Sequence, residues 1–442
     1  MANTSTDILA AIDAGSSKVL CVIARPSDTL EGCFKVLGFG RVPSQGIKNG
    51  IIYDVEKAVF SIRTALQEAQ NTAGVSVRTV WPAIGGSVVT SANARGVAVL
   101  RGREVRQEDV DEAVRNAYEH CRKLAGERNL LKTRLQGYRV GEVEDSKNPV
   151  GLMGESIEAH MHAVFSDAMS SQTLRATIQR AGVEVGDYSP QPWASARAVI
   201  RPDDAACGAA VIDMGADTTS FAVYTEGAVR YTDVIPWGAQ FFTKDLASVL
   251  DITIEQAEEI KLLRGTCLPE RVNDWESVVP TPENGRRQRA YSRRLMATVL
   301  KARADEFLRH YRKLLEERGD LERVRTIVLT GGGANLAGLP ERARDIFPGK
   351  TVRVGLPNNI DGAPQLINQP DASVVMGLIG EAADKVAGKG DRQLLNLSAP
   401  GFLQNLKNVL IGDYRYVGAV FQENGVPEPP LSVIITSFDS VR

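Results

Sequence analysis

The chain has 442 residues, too many for a single hydrophobic core, so we expect several domains. Apolar residues make up 43% and charged residues 24%, as in globular proteins, and a formal net charge of -2 gives no general attraction to nucleic acid. The five cysteines form no CxxC pair, which favours a reducing compartment and argues against a structural metal site. We also expect neither a secretion signal nor a membrane-spanning helix, since no suitable apolar run occurs.

The first predicted element is a pair of apolar strands joined by a polar turn, in LAAIDAGSSKVLCVIARP at residues 9–26. The turn is longer than a tight hairpin requires. It offers several backbone N–H groups, two hydroxyls and one ammonium, which together resemble an anion-binding nest. Taken alone, the pattern is found more often in an ordinary hairpin with a polar loop.

Regular elements follow with clear periodicity. Apolar residues at helical spacing predict a helix over 54–73, with Asp54 as its N-cap, and further helices over 107–125 and 167–181. Residues 155–165 alternate as a strand, on which His160 and His162 share one face. An exposed strand face explains the two histidines better than a metal site does, because no cysteine or acidic cluster accompanies them.

The opening pattern is repeated at residues 209–227, in AAVIDMGADTTSFAVYTEG. Again an apolar strand runs into an aspartate, a glycine and small polar residues, and then into a second strand. Two such hairpins in one chain suggest two similar halves that each offer a phosphate-binding turn, with a nucleotide between them.

Two later segments carry further signals. In RTIVLTGGGANLAGLPERARDIF, residues 325–347, a buried strand leads into a run of glycines and then a helix near Leu339, which would let a backbone approach a ligand closely. Residues 286–313 form a strongly basic predicted helix, with a buried stripe of Leu295, Val299, Ala302 and Leu308. A solvated face is the ordinary interpretation of such a helix, and a docking face for an acidic peptide is the alternative.

Together, these motifs resemble the actin-like ATPase superfamily and, within it, the FtsA family of bacterial cell-division proteins. The resemblance covers about residues 7–385 and includes GFGRVPSQGIKNGIIYDVEKAV, KNPVGLMGESIEAHMHAV, GAAVIDMGADTTSFAV, VIPWGAQFFTKDLA, AEEIKLLRG and IVLTGGGANLAGL. It implies an α/β, actin-like fold of two ribonuclease-H-like halves, with an inserted FtsA-type subdomain, 1C.

The resemblance also implies a domain plan. Subdomain 1A would comprise residues 7–83 and 163–205, and the insertion 1C residues 84–162. Subdomain 2A would comprise 206–242 and 325–385, the last part returning to 1A, and subdomain 2B would span 243–324. Residues 386–399 would be a linker, 400–411 an amphipathic helix, and 412–442 a tail of unknown role.

The same resemblance implies a site for ATP and Mg²⁺. Asp13 and Asp213 would face each other across a cleft and bind hydrated magnesium. The phosphates and the nucleoside would be held by Gly15, Ser16, Ser17, Lys18, Gly215, Ala216, Asp217, Thr218, Gly238, Gly331, Gly332, Gly333 and Ala334, with Glu258 and Lys261 reaching the ribose. Here Asp217 and Ser220 depart from the family's Gly-Gly-Gly-Thr-x-Asp pattern, and a carboxylate at 217 would repel phosphate unless a cation or a hydrogen bond offsets it.

The implied function is that of a polymerising division protein, at most a slow ATPase. It would tether FtsZ filaments to the cytoplasmic side of the membrane at the division septum, and other division proteins are possible partners. Arg289, Arg293, Lys301 and Arg303 would bind the FtsZ tail, and the apolar face Phe402, Leu403, Leu406, Val409 and Leu410 would bind the membrane surface. A kinase-like enzyme and a pilus-assembly adaptor are the alternatives.

Overall fold

The computed structural model describes residues 8–387, apart from residues 29, 31, 282–288 and 359. Its strands are β1 (Leu9–Ala14), β2 (Lys18–Pro26), β3 (Phe34–Pro43), β4 (Ile47–Lys48), β5 (Ile51–Ile52), β6 (Thr79–Ile84), β7 (Val89–Val99), β8 (Asn129–Val140), β9 (Val143–Ser146), β10 (Ser156–Ser166), β11 (Glu184–Val185), β12 (Ser189–Pro190), β13 (Ala209–Met214), β14 (Thr219–Thr225), β15 (Ala228–Ile235), β16 (Ser277–Val278), β17 (Tyr291–Ser292), β18 (Thr326–Thr330), β19 (Thr351–Val354) and β20 (Ile360–Asp361).

The helices belong to the same described ranges. They are α1 (Val55–Ala73), α2 (Gln107–Ala125), α3 (Ala168–Arg180), α4 (Gln191–Val199), α5 (Pro202–Cys207), α6 (Gln240–Leu250), α7 (Ile254–Arg264), α8 (Arg293–Glu317), α9 (Leu339–Ile346), α10 (Pro364–Ile367) and α11 (Ser373–Val386). Short 3-10 turns span Pro269–Arg271, Gly332–Asn335 and Pro370–Ala372.

The first sheet has the order β11-β6-β1-β2-β3-β20, with β12 also paired to β6. Its central strand β1 is apolar at successive positions because both faces of the sheet are covered. Ile12 packs in the cluster that contains Ile62 of α1, whereas Ala11 packs in the cluster that contains Val375 of α11. The alternation of side chains along a strand therefore fills two cores at once.

Helix α1 confirms its predicted start and its predicted face. The Asp54 side chain accepts a hydrogen bond from the Lys57 N–H at 3.2 Å, and Gly74 ends the helix in a left-handed conformation. The buried face includes Ile62 and Ala65. On β3, a Cβ at Gly40 would lie 2.0 Å from the Ala65 carbonyl oxygen, so glycine is needed there for α1 to approach the sheet.

The second sheet repeats this plan in the order β15-β14-β13-β18-β19. One face packs on α6, α8 and α9, and the other joins α4 and α11 in the cluster that also covers β1. Helices α4 and α11 therefore lie between the two sheets. They cross closely, because a Cβ at Gly377 would lie 1.7 Å from the Ala194 carbonyl oxygen.

A separate four-stranded antiparallel sheet, β7-β10-β8-β9, carries α2 on one face. It adjoins the edge strand β15 of the second sheet through side-chain hydrogen bonds. Ser91 Oγ donates to the Thr232 carbonyl at 2.6 Å, and Gln136 Nε2 donates to the Val229 carbonyl at 2.9 Å. Side chains of this small sheet thus satisfy backbone groups that the edge strand leaves open.

Two sequence-based interpretations were wrong in detail. His162 is not on an exposed face: it is 1% exposed, and its ring nitrogens lie 2.5 Å from Asn93 Oδ1 and 2.9 Å from Thr232 Oγ1. Burial lowers its pKa to about 3, so the ring is neutral, and residues 8–387, so far as they are described, contain no cluster of three potential metal ligands.

The second correction concerns the basic helix. Helix α8 begins at Arg293, with Ser292 as its N-cap, rather than near 286. Of the predicted stripe only Leu308 is buried, whereas Leu295 is 46% exposed. The face that packs inward carries the larger side chains of Phe307 and Tyr311, which bury more apolar area than the predicted stripe offers.

Candidate functional site

The two predicted phosphate turns have the same geometry. In the first, the Gly15 N–H donates to the Lys18 carbonyl at 3.0 Å, and in the second the Gly215 N–H donates to the Thr218 carbonyl at 2.9 Å. Each turn directly follows a strand that carries an aspartate as its second-to-last residue, and both turns line one cleft. The repeat in the sequence therefore converges on a single site.

Asp13 and Asp213 both line this cleft. Burial is the main cause that raises the pKa of Asp13 to about 6 and the pKa of Asp213 to about 7. Repulsion from Asp13 adds to the rise at Asp213, while Lys18 opposes the rise at Asp13. Asp213 is 2% exposed, and its Oδ2 has no hydrogen-bond partner among the described residues. Such a carboxylate gains much from a cation beside it.

Two residues, Gly331 and Ser220, lie beside Asp213. A Cβ at Gly331, which has φ +81, would lie 2.3 Å from Asp213 Oδ1, so the glycine turn passes directly over the carboxylate. Ser220, which departs from the family pattern, is the cross-strand partner of Asp213 and is 2% exposed. Its Oγ also lacks a partner within the described part of the chain.

Lys18 does not stand free in the cleft. Its Nζ contacts the Asp371 carboxylate and donates to the Asp371 carbonyl at 2.9 Å. Arg41 donates to the same carboxylate through both terminal nitrogens, each at 3.0 Å. Sequence analysis missed Asp371 and Arg41, because 353 positions separate Asp371 from Lys18 and no local pattern joins them.

The carboxylate of Asp217, which lies at the second phosphate turn, accepts a hydrogen bond from the backbone. The Asn49 N–H donates to Asp217 Oδ2 at 2.9 Å, and the Gly50 N–H donates to Ser16 Oγ at 3.2 Å. The loop between β4 and β5 thus bridges the two phosphate turns. This contact offsets part of the charge that Asp217 brings to the cleft.

The residues predicted to hold the nucleotide and the metal divide into two groups. Those that line the cleft are Asp13, Gly15, Ser16, Ser17, Lys18, Asp213, Gly215, Ala216, Asp217, Thr218, Gly331 and Gly332. Gly238, Glu258, Lys261, Gly333 and Ala334 are not part of its lining. Gly238 lies beneath the second turn, Gly333 packs on Met214, and Lys261 Nζ lies 2.6 Å from Glu258 Oε2.

Gln191 and Ser373 also line the cleft and were missed. Gln191 is the first residue of α4, and its side chain lies where a Cβ at Gly85 would stand. Ser373, at the start of α11, is 1% exposed and its Oγ has no partner within the described ranges. Neither belongs to a glycine-rich or acidic motif, so the sequence carries no local signal for them.

The four basic residues predicted to bind a peptide do not form one open patch. Arg303 donates to Asp245 Oδ1 at 2.8 Å and to Glu306 Oε2 at 2.7 Å. Lys301 lies 3.9 Å from Asp305 Oδ2, and Arg293 contacts Glu276. Arg289, beside Tyr291, is exposed.

Large apolar side chains are exposed at the corner where α7, the loop before β16 and the start of α8 meet. The Arg293 Nε donates to the Arg264 carbonyl at 3.1 Å, and the Arg293 N–H donates to the Glu276 carbonyl at 3.0 Å. We call this corner the apolar corner; its exposed side chains are Leu262 (74%), Leu263 (70%), Trp275 (80%) and Leu295 (46%). Large apolar side chains exposed on neighbouring elements are typical of an interaction site.

The predicted membrane-binding residues 402–410 lie outside the described residues. Among the helices that are described, none has both the length and the apolar composition needed to cross a bilayer.

Comparisons with known proteins give one consistent result. The family model for the cell division protein FtsA matches residues 210–377, and the model for the SHS2 domain inserted in FtsA matches residues 86–165. FtsA of Pseudomonas aeruginosa is 31% identical over 376 residues, covering 85% of this chain and 89% of that protein. FtsA of Neisseria meningitidis is 30% identical, covering 86% and 91%.

Solved structures confirm the predicted fold class. A chain of the PilM–PilN type IV pilus biogenesis complex aligns with a TM-score of 0.60 at 17% identity, covering 84% of this chain and 97% of its own. MreB5 of Spiroplasma citri bound to ADP aligns with a TM-score of 0.50 at 13% identity, covering 89% and 100%. These likenesses show the actin-like fold alone, whereas the sequence relatives decide the family. The chain therefore belongs to the FtsA family of actin-like cell-division proteins.

Proposed function

We propose that this division protein binds ATP with Mg²⁺ in the cleft, assembles with copies of itself, and tethers FtsZ filaments to the cytoplasmic membrane at the septum. The observation that carries the nucleotide assignment is the pair of matching turns, each with an aspartate beside it that lines the same cleft. Asp213 Oδ2 and Ser373 Oγ have no hydrogen-bond partner within the described ranges, and both residues line the same cleft. The ADP bound to the MreB5 of the same fold agrees with this assignment.

The charges of the cleft support magnesium as the companion of the nucleotide. Among the described residues that line it, four are aspartates (Asp13, Asp213, Asp217 and Asp371) and one, Lys18, is a cation. A polyphosphate would therefore meet net repulsion without a divalent ion. Asp13 and Asp213 would hold Mg²⁺ through its water ligands, and the ion would neutralise charge between the carboxylates and the phosphates.

Lys18→Ala tests this assignment directly. We expect the variant to bind ATP about tenfold more weakly in the presence of magnesium, because a charge-assisted contact to phosphate is lost. Titration with a fluorescent ATP analogue measures the effect, and Lys313→Ala, whose lysine lies on α8 with 73% of its side chain exposed, is the matched control. Equal affinity of the wild type with magnesium and with a chelator would remove the magnesium from the proposal.

For the FtsZ tail we propose the apolar corner together with Arg289, Arg293 and Lys301. An acidic peptide with apolar anchors needs both a cationic rim and exposed apolar side chains, and these two features adjoin at the start of α8. Arg293 and Arg303 are weaker candidates than Arg289, since Glu276 holds the guanidinium of Arg293, Asp245 holds that of Arg303, and their side chains are only 25% and 20% exposed.

For the membrane we propose residues 400–411, whose apolar face is Phe402, Leu403, Leu406, Val409 and Leu410. Only Lys407 is basic in this stretch, so apolar insertion must supply most of the binding and lipid charge adds about 1 kcal/mol. A single copy then binds weakly, and self-assembly raises the apparent affinity through multivalency.

Phe402→Glu combined with Leu406→Glu should release the protein from vesicles, because the two changes remove the apolar face that inserts into the membrane. ATP binding should stay unchanged. Co-sedimentation with vesicles of mixed neutral and anionic lipid measures this. Gln404→Glu with Asn408→Glu, on the polar side of the same stretch, is the control for added charge. Co-sedimentation that survives the first pair would place the anchor elsewhere, with residues 412–442 as the next candidate.

A further inference from the structure

Asp371 lines the cleft, and the nucleotide assignment gives it no role. We propose that Asp371 is the resting counter-ion of Lys18, and that it sets the affinity for nucleoside di- and triphosphates by competing with their phosphates for the lysine. This inference rests on the proposed function, because it assumes that the cleft takes a nucleotide. It assigns a specificity role to a residue outside the phosphate turns.

The contacts of Asp371 show the competition. Its carboxylate and its carbonyl oxygen both bind the Lys18 ammonium, which extends from the first phosphate turn. Both side chains are largely buried, with 20% of Lys18 and 13% of Asp371 exposed. An ammonium that already has two acceptors gains less from a phosphate than a free one would, since the ion pair must loosen first.

Arg41 explains why the carboxylate persists beside a site for anions. It donates two hydrogen bonds to Asp371 from β3, and its side chain is 34% exposed. When Lys18 turns to a phosphate, Asp371 therefore keeps a cationic partner and is not left as an uncompensated buried charge. The three side chains form one charge cluster, in which the Asp371 carboxylate pairs with both Lys18 and Arg41.

The backbone of this segment links the lysine to the opposite half of the cleft. The carbonyl of Pro370 accepts hydrogen bonds from the Gly331 N–H at 3.1 Å and from Thr330 Oγ1 at 3.0 Å. Asp371 is therefore fixed on the glycine turn of the second half while its side chain holds Lys18 of the first. The contact between Asp371 and Lys18 therefore joins the two halves of the cleft.

The experiment measures dissociation constants for ATP, ADP and adenosine, in magnesium, for the wild type, Asp371→Asn and Arg41→Ala. Asp371→Asn should bind ATP and ADP about three- to tenfold more tightly, because Lys18 loses its competitor, and adenosine unchanged. Arg41→Ala should bind ATP about threefold more weakly. Without Arg41, Asp371 has Lys18 as its one cationic partner among the described residues and competes more strongly with the phosphates for it. In a Lys18→Met background, Asp371→Asn should no longer change ATP affinity through this pair.

Opposite signs for the two variants separate this role from a structural one. If Asp371 and Arg41 only support the fold, both substitutions should lower the melting temperature and weaken ATP and adenosine binding alike, and the inference is wrong. Asp371→Asn binding ATP no more tightly than the wild type also overturns it. If the wild type does not bind ATP at all, the nucleotide assignment itself fails, and this inference fails with it.

Discussion

Replacing Asp213 by asparagine should strongly weaken magnesium-dependent ATP binding and, at the same time, raise the thermal stability of the ligand-free protein at pH 7.5. Burial and the charge of Asp13 raise the pKa of Asp213 to about 7, so holding this carboxyl ionised in the empty cleft is unfavourable. Asparagine keeps the shape without the charge. We expect ATP affinity to fall about a hundredfold and the free energy of unfolding to rise by on the order of 2 kcal/mol.

The pH dependence has a definite sign. The folded protein binds the proton of Asp213 more tightly than the unfolded chain, whose carboxyl has a pKa of 3.8. The free energy of unfolding of the wild type therefore falls as the pH rises from about 4 to about 7. Asp213→Asn lacks this titrating carboxyl. The difference in the free energy of unfolding between the variant and the wild type should therefore be small near pH 4 and largest above pH 7.

Thermal melting across this pH range, with and without magnesium and ATP, measures both effects. Asp203→Asn, at an exposed position of α5, is the matched control and should change neither. In the wild type, ligand should raise the melting temperature, whereas in Asp213→Asn it should not. A variant that melts below the wild type at pH 7.5, or that still binds ATP with magnesium, would contradict the assignment of Asp213.

Local patterns predicted the parts of the fold that depend on neighbouring residues. Each phosphate hairpin is closed by a hydrogen bond across four residues, so its sequence contains nearly all the information that its geometry needs. Helix α1 has its cap, its buried face and its terminal glycine within one continuous segment. For this reason the hairpins and α1 were placed correctly from sequence.

Contacts between distant segments could not be predicted in this way. The Lys18–Asp371 pair joins the start of the chain to a segment near residue 370, and the Asn49–Asp217 hydrogen bond joins the two halves. Nothing near either residue specifies its partner. Helix α8 shows a different limit, because its sequence offers two apolar stripes, and only packing against β14 and α6 selects the one with Phe307 and Tyr311.

The apolar corner carries the second large expected effect. Trp275→Ala should weaken binding of the FtsZ C-terminal peptide at least about tenfold, and Trp275→Ala combined with Leu262→Ser should remove it. Trp275 is 80% exposed, and exposed tryptophans that become covered by a partner often contribute 2 kcal/mol or more to its binding. Neighbouring charges contribute less, about 0.2 to 1 kcal/mol for each exposed pair.

Fluorescence anisotropy with a labelled peptide, at low and high salt, measures the contribution of each kind of contact. Arg289→Glu should weaken binding mainly at low salt, because salt screens exposed charges, whereas the loss in Trp275→Ala should persist at high salt. Phe60→Ala, on the exposed side of α1 with 63% of its side chain accessible, is the matched control for removing a large apolar group and should bind as the wild type does.

Arg303→Glu should lower the melting temperature, since it breaks the pair with Asp245, more than it lowers peptide affinity. If Arg303→Glu abolishes binding and Trp275→Ala leaves it unchanged, the peptide binds on the α6 side of α8 and the apolar corner has another partner.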